Sequence, residues 1–134
     1  MYDKPLIYDI AFGYRDIPAE VDCLLAWAAR SLGRAPASAL ELAAGPADHA
    51  IELASRGLAA GALDREASMC DYAREKAARR GVAVDVSCAD MIDFDLGGRR
   101  FDLAATMLDS LCHVPTVPAL ERHLRAVARH LAPG

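Results

Sequence analysis

With 134 residues, 54% of them hydrophobic and 25% charged, the chain has the make-up of a folded globular unit long enough to bury a real core. A net charge of −4 offers no basic surface to nucleic acid or to an anionic membrane, and no apolar run is long enough to span a bilayer. The four cysteines (Cys23, Cys70, Cys88 and Cys112) stand far apart with no Cys-x-x-Cys pair, which predicts buried free thiols, no metal site and a cytoplasmic protein.

The first stretch, residues 2–16, holds three of the four tyrosines although the chain is only 6% aromatic. Tyr2, Tyr8, Asp9, Phe12, Tyr14 and Arg15 read as an N-terminal arm that either packs over an opening in the core or closes a ligand cleft. Phe12 is assigned to packing; Tyr8, Tyr14 and Arg15 are substrate-side candidates. Pro18 then begins a helix whose Val21, Leu24, Leu25, Ala28 and Leu32 form one apolar stripe, with Gly33 as its stop. Trp27 lies off that stripe and is assigned to the core ahead of a contact with the arm.

After Pro36 the run Ala39–Leu42 carries one acid, Glu41, just before the small-residue turn around Gly45. Pro46 opens the next helix, Ala47–Arg56, where its missing N–H costs nothing. His49, near the helix start, reads as solvated. A second apolar run ends at Asp64, 19 positions after Gly45. Together these segments make a βαβ unit with an acidic tip. A helix follows through Arg80, stopped by Gly81, and Val82–Ser87 alternates as an edge strand should. Cys88-Ala89-Asp90-Met91 comes next, and Phe101–Met107 is the fourth strand. Thr116 caps a last helix bearing Leu120, Leu124, Val127 and Leu131 at helical spacing. The alternation predicts an α/β fold: an open sheet of about four parallel strands with right-handed crossovers, flanked by helices and preceded by a helical arm. The whole reads as a single domain, with residues 1–33 as arm and helix and 34–134 as βα core.

Ligands of such sheets bind outside the carboxyl ends of the strands. That edge collects Gly45, Asp64-Arg65, Asp90-Met91 and Leu108-Asp109-Ser110. The Gly45 turn admits backbone to a ligand, and the helix after it offers N–H groups. Asp64 can accept from a ribose diol or cap the next helix; Asp90 can accept from an adenine amino group or act as a cap. Glu41, inside an apolar strand, needs a partner, and a ligand ammonium is one candidate.

The stretch Glu41-Leu-Ala43-Ala-Gly45-Pro-Ala47 resembles the first motif of the class I S-adenosylmethionine-dependent methyltransferases, an acid followed by Gly-x-Gly-x-Gly, with Ala43 and Ala47 at the outer glycine positions. The resemblance covers roughly Tyr8 to Gly134. It implies a Rossmann-like sheet with strand order 3-2-1-4 and S-adenosyl-L-methionine as cofactor, with Glu41, Ala43 and Gly45 near its methionine portion, Asp64 and Arg65 near the ribose, Asp90 and Met91 near the adenine, Leu108 among the cofactor-binding residues, and Asp109 and Ser110 facing the reacting centre. It also implies an arm over the cofactor and no metal, while the acid-rich strand edge disfavours a large anionic substrate and points to a small-molecule methyl acceptor. A base is needed only for an acceptor that arrives protonated, and Tyr14, Asp109 and His113 are the candidates. Two rivals stand beside this reading. A nicotinamide dinucleotide domain would want glycine at 43, 45 and 48; a non-catalytic scaffold would act through a partner chain.

In the resembled family an ending such as Leu131-Ala-Pro-Gly134 leads into a fifth strand beside the fourth. The expectation is therefore that the chain is part of a longer enzyme, or that Phe101–Met107 pairs as an apolar edge with a second copy or a C-terminal half. Weak cofactor binding and slow turnover by the 134 residues alone belong to the same expectation.

Overall fold

Ala39–Leu42 is nearly continuous in apolar residues, as a strand buried on both faces must be, and it takes a central place. A computed structural model describes residues 4–133; Tyr2 and Gly134 lie outside the described residues. In chain order the elements are α1 (Pro5–Phe12), α2 (Ile17–Leu32), β1 (Ser38–Leu42), α3 (Asp48–Ser55), β2 (Ala59–Asp64), α4 (Ala67–Arg79), β3 (Val84–Cys88), β4 (Leu103–Thr106), a 3-10 turn at Ser110–His113 and α5 (Val117–Arg129). The four strands pair in parallel in the order β3-β2-β1-β4. This is the expected sheet, with the alternating strand β3 at one edge.

The two faces of the sheet differ in side-chain size. Ala39 of β1 and Ala60 and Ala62 of β2 pack with Val21, Ala50, Leu53 and Ala73 from the helices on one face. Leu40, Leu42 and Leu63 point the other way and pack with Met91, Phe94, Phe101 and Ala126. The strand period of two produces this division directly. Gly61 belongs to the second face: a Cβ there would stand 3.1 Å from the Phe101 ring and 3.2 Å from Leu40. Its missing side chain makes the space that the phenyl ring fills.

Local chemistry sets the helix ends. Asp16 caps α2 by accepting from the Ala19 N–H at 3.1 Å, and Gly33 closes that helix in the left-handed conformation. Thr116 accepts from Ala119 N–H at 3.2 Å to start α5. The link between α2 and β1 is clamped to β4, since Asp102 accepts from the Arg34 guanidinium at 2.7 and 3.0 Å and from the Ala37 N–H at 2.7 Å. Those donors hold the Asp102 carboxyl well below the usual carboxylate range.

Several expectations change here. Pro46 lies in a turn and α3 begins only at Asp48, because Ala47 takes a left-handed φ of 61° that no helix can include. Trp27 is 63% exposed and so is not a core residue: it sits on the outer side of α2, away from the stripe. Only Cys70 is buried; Cys23, Cys88 and Cys112 are exposed. The fourth strand is shorter than Phe101–Met107, and its first residue is not an open edge. Phe101 bridges to Leu131, donating its N–H to His130 O at 2.8 Å and accepting from Ala132 N–H at 2.9 Å.

Candidate functional site

A cavity of about 510 Å³ opens at the carboxyl ends of the strands, between them and the N-terminal arm. The loop after β1 forms its floor. Ala43, Gly45 and Ala47 have φ values of 51°, 52° and 61°, so all three positions that the family motif gives to glycine are left-handed. Two alanines hold that geometry at a steric cost of about 1–2 kcal/mol each. The turn is tied to β2 by Ala44 N–H to Leu63 O at 3.0 Å and by Gly45 N–H to Asp64 Oδ2 at 2.8 Å.

Asp64 therefore does more than either expected role. Its other oxygen accepts from the Glu66 N–H at 2.9 Å, which shapes the entry to α4 without capping its first turn. Each oxygen keeps a further lone pair, enough for a diol. Asp90 likewise closes a local turn, Oδ1 accepting from Ile92 N–H at 2.8 Å. The carbonyl of Met91 accepts from Nδ1 of the buried His123 at 2.7 Å, so α5 fixes the segment after β3. At the exit of β4, Leu108 is left-handed at φ 53°, and Ser110 Oγ donates to Met107 O at 3.0 Å.

Most of the residues expected at a site do meet in this cavity. Tyr8, Tyr14, Ala43, Gly45, Asp64, Arg65, Asp90, Met91, Leu108, Asp109, Ser110 and His113 all line it. Tyr8 lies over the turn, its Cε1 3.7 Å from where a Gly45 Cβ would stand. Phe12, assigned to packing, lines the cavity as well, with its ring centroid 4.5 Å from that of Tyr8. Glu66, Met69 and Ile92 were not anticipated there. Met69 was visible as the first member of the α4 stripe, and Ile92 as the neighbour of Asp90-Met91.

Three expectations are corrected. Glu41 does not line the cavity; it is 4% exposed and already satisfied. One of its oxygens faces His49 Nδ1 at 3.0 Å and the other accepts from the Ala50 N–H at 2.8 Å. His49 is not solvated but 2% exposed, and its Nε2 meets Glu20 at 2.8 Å. Arg15 turns away from the cavity and pairs with Glu20 through Nε at 3.0 Å. The result is a chain, Arg15–Glu20–His49–Glu41, half-buried at Arg15 and Glu20 and fully buried at His49 and Glu41. Burial opposes charge on His49, yet Glu41 and Glu20 outweigh it and raise its pKa. Burial of Glu20 is likewise outweighed by His49 and Arg15, which lower its pKa.

The cavity suits an adenosyl ligand: carboxylates at the β2 and β3 exits, apolar Met69, Met91 and Ile92 between them, and a turn that admits close approach. A nicotinamide dinucleotide fits less well, because Asp48 stands where its third glycine would be.

Residues 39–134 match the family model described as methyltransferase domain. A dTDP-4-amino-2,3,4,6-tetradeoxy-D-glucose N,N-dimethyltransferase from Saccharopolyspora spinosa is 41% identical over 66 residues, covering 49% of this chain and 26% of that protein. Among solved structures, a sugar N-methyltransferase from a Streptoalloteichus species superposes with a TM-score of 0.80 at 30% identity, over 93% of this chain and 49% of its own. The S-adenosylmethionine-bound amino pentose methyltransferase of Micromonospora echinaspora, involved in calicheamicin biosynthesis, has the same fold with a TM-score of 0.82 at 24% identity, over 96% and 52%. The chain thus spans about half the length of these solved structures. Motif geometry, strand order and family match agree: the chain belongs to the methyltransferase domain family, in its class I, S-adenosylmethionine-dependent form.

Proposed function

We propose that the cavity binds S-adenosylmethionine and that its methyl group passes to the amino nitrogen of a sugar-type small molecule. The observation that carries the reading is the left-handed Gly45 turn bonded to Asp64 at 2.8 Å, which puts a close-approach backbone and a diol acceptor side by side. The sugar N-methyltransferases among the relatives support the acceptor class.

S-adenosylmethionine supplies an activated methyl group on a sulfonium, which an unprotonated amine takes by in-line displacement while sulfur keeps the electrons of the broken bond. The protein's part is binding and orientation. Asp64 receives the ribose hydroxyls; Asp90 receives the adenine amino group, with Met91 against the ring. Tyr8 and Phe12 cover the turn and exclude water. Tyr14, Asp109 and His113 line the same cavity and are the candidates to take a proton from the acceptor nitrogen.

Calorimetry with S-adenosylmethionine and with NAD, followed by mass spectrometry of amino-sugar nucleotides incubated with the protein, tests this. Binding of the first ligand alone and a gain of one or two methyl groups are expected. Absence of heat with S-adenosylmethionine overturns the cofactor assignment; binding without methylation of any amino sugar overturns the acceptor class.

A further inference from the structure

Helix α1 covers the cavity yet buries none of its own residues. Leu6, Ile7 and Ile10 are 59%, 53% and 72% exposed, so little apolar burial holds the helix down. Its tie to the rest of the fold is polar. Asp9, next to the cavity-lining Tyr8, accepts from Tyr72 Oη at 2.9 Å and from Lys76 Nζ at 2.6 Å, both on α4. Lys76 also donates to Asp48, the first residue of α3, which directly follows the Gly45 turn. One ammonium thus joins the covering helix to the helix that carries the cofactor turn. Its side chain is 18% exposed, and the two aspartates are 22% and 34% exposed, so bulk salt screens the group only in part. Burial opposes the charge on Lys76, but Asp48 and Asp9 more than offset it and raise its pKa.

We propose that Asp9–Lys76–Asp48 is a latch that seats α1 over the bound cofactor, with Lys76 as its positioning residue, and that opening the latch sets the rate of cofactor exchange. The lid pivots about the turn at residues 13–14, because Arg15 beyond it is fixed to Glu20. With the latch open, Tyr8 leaves the Gly45 turn and the cavity mouth widens. Lys76 touches neither cofactor nor acceptor; it acts through Tyr8. The exchange part of this inference rests on S-adenosylmethionine being the ligand, whereas the seating of α1 does not.

Lys76→Met keeps the length of the side chain and removes its charge, Lys76→Arg restores a charge, and Asp9→Asn weakens the latch from the arm without touching the core. Hydrogen exchange of the α1 amides in ligand-free protein and stopped-flow release of S-adenosylmethionine are the two readouts. Expected for Lys76→Met and Asp9→Asn are a rise in exchange confined to residues 5–12 and release faster by roughly twofold to fivefold, the equivalent of one modest ion pair. Lys76→Arg should return both toward the parent values, and added salt should speed release from the parent protein but not from Lys76→Met. Unchanged α1 exchange in both variants overturns the latch; raised exchange with unchanged release overturns its control of exchange. If the parent protein binds no S-adenosylmethionine, the cofactor assignment has failed, and the α1 exchange data still decide the latch.

Discussion

Asp48 and His49 are neighbours on the first turn of α3, and each anchors a charged strap to the N-terminal region. The strap from His49 runs inward to Glu41 at 3.0 Å, a pair almost wholly removed from water, and reaches the half-buried Glu20 at 2.8 Å. The strap from Asp48 runs outward through Lys76 to Asp9, among groups that water still reaches. Similar pairs in different surroundings do different work. Where a lost partner would strand a buried charge, the pair acts as a pillar; where water can replace the partner, the pair can open and close.

The largest effect should come from breaking the pillar. His49→Ala leaves Glu41 buried with only the Ala50 N–H, and should cost about 3–5 kcal/mol of unfolding free energy in denaturant titrations. Next is Asp64→Ala, which unties the same turn from the β2 side while sparing the pillar. Cofactor affinity should fall by about 1.5–3 kcal/mol, roughly tenfold to over a hundredfold by calorimetry, with circular dichroism near native. An unchanged dissociation constant would remove Asp64 from the site.

The two straps should also separate by pH. His49 has its pKa raised on folding, so its stabilisation is full below the unfolded value of 6.5 and is lost as pH rises through the higher folded value. Glu20 has its pKa lowered, so its share is full above 4.5 and is lost as pH falls through the lower folded value. The pillar therefore contributes most between those two ordinary values, and His49→Gln should flatten the alkaline limb of a stability–pH profile. Lys76, raised above 10.5, keeps its charge throughout that range, so the latch should show no such limb. On global stability the latch should count for little: Lys76→Met is expected to cost under about 1 kcal/mol, and a loss as large as that of His49→Ala would make the two straps equivalent. The smallest effect belongs to Ala47→Gly. Relief of its left-handed strain nearly cancels the lost burial of one methyl group, and the melting temperature should move by only a few degrees.

The sheet was legible because its information is local. Apolar runs, period-two alternation in β3 and an acid at the end of β2 are written along the chain, and ligand chemistry collects at strand exits in any such sheet. The straps were not legible. Glu41 and His49 are 8 residues apart and meet only when α3 folds back over β1; Asp9 and Lys76 are 67 apart. Reading Glu41 as waiting for a ligand followed the right rule, that a buried carboxylate needs a partner, to the wrong partner. Ala43 and Ala47 hid the geometry of the turn in another way, since alanine gives no hint of a positive φ.

The unequal faces of the sheet bear on how this sequence is able to drift. On the side of α3, seven of the nine clustered core residues are alanine, from Ala39 to Ala73. There the next available change is growth, and each added methylene must push against a helix at about 1–3 kcal/mol. On the side of α5 the cluster is leucine, methionine and phenylalanine apart from Ala126, and there the common change is loss, at about 2–5 kcal/mol for truncation to alanine. The first face is policed by collision and the second by emptiness. Paired changes that trade volume across the Gly61–Phe101 contact are the route by which the second face escapes, and the alanine face has no counterpart to that glycine.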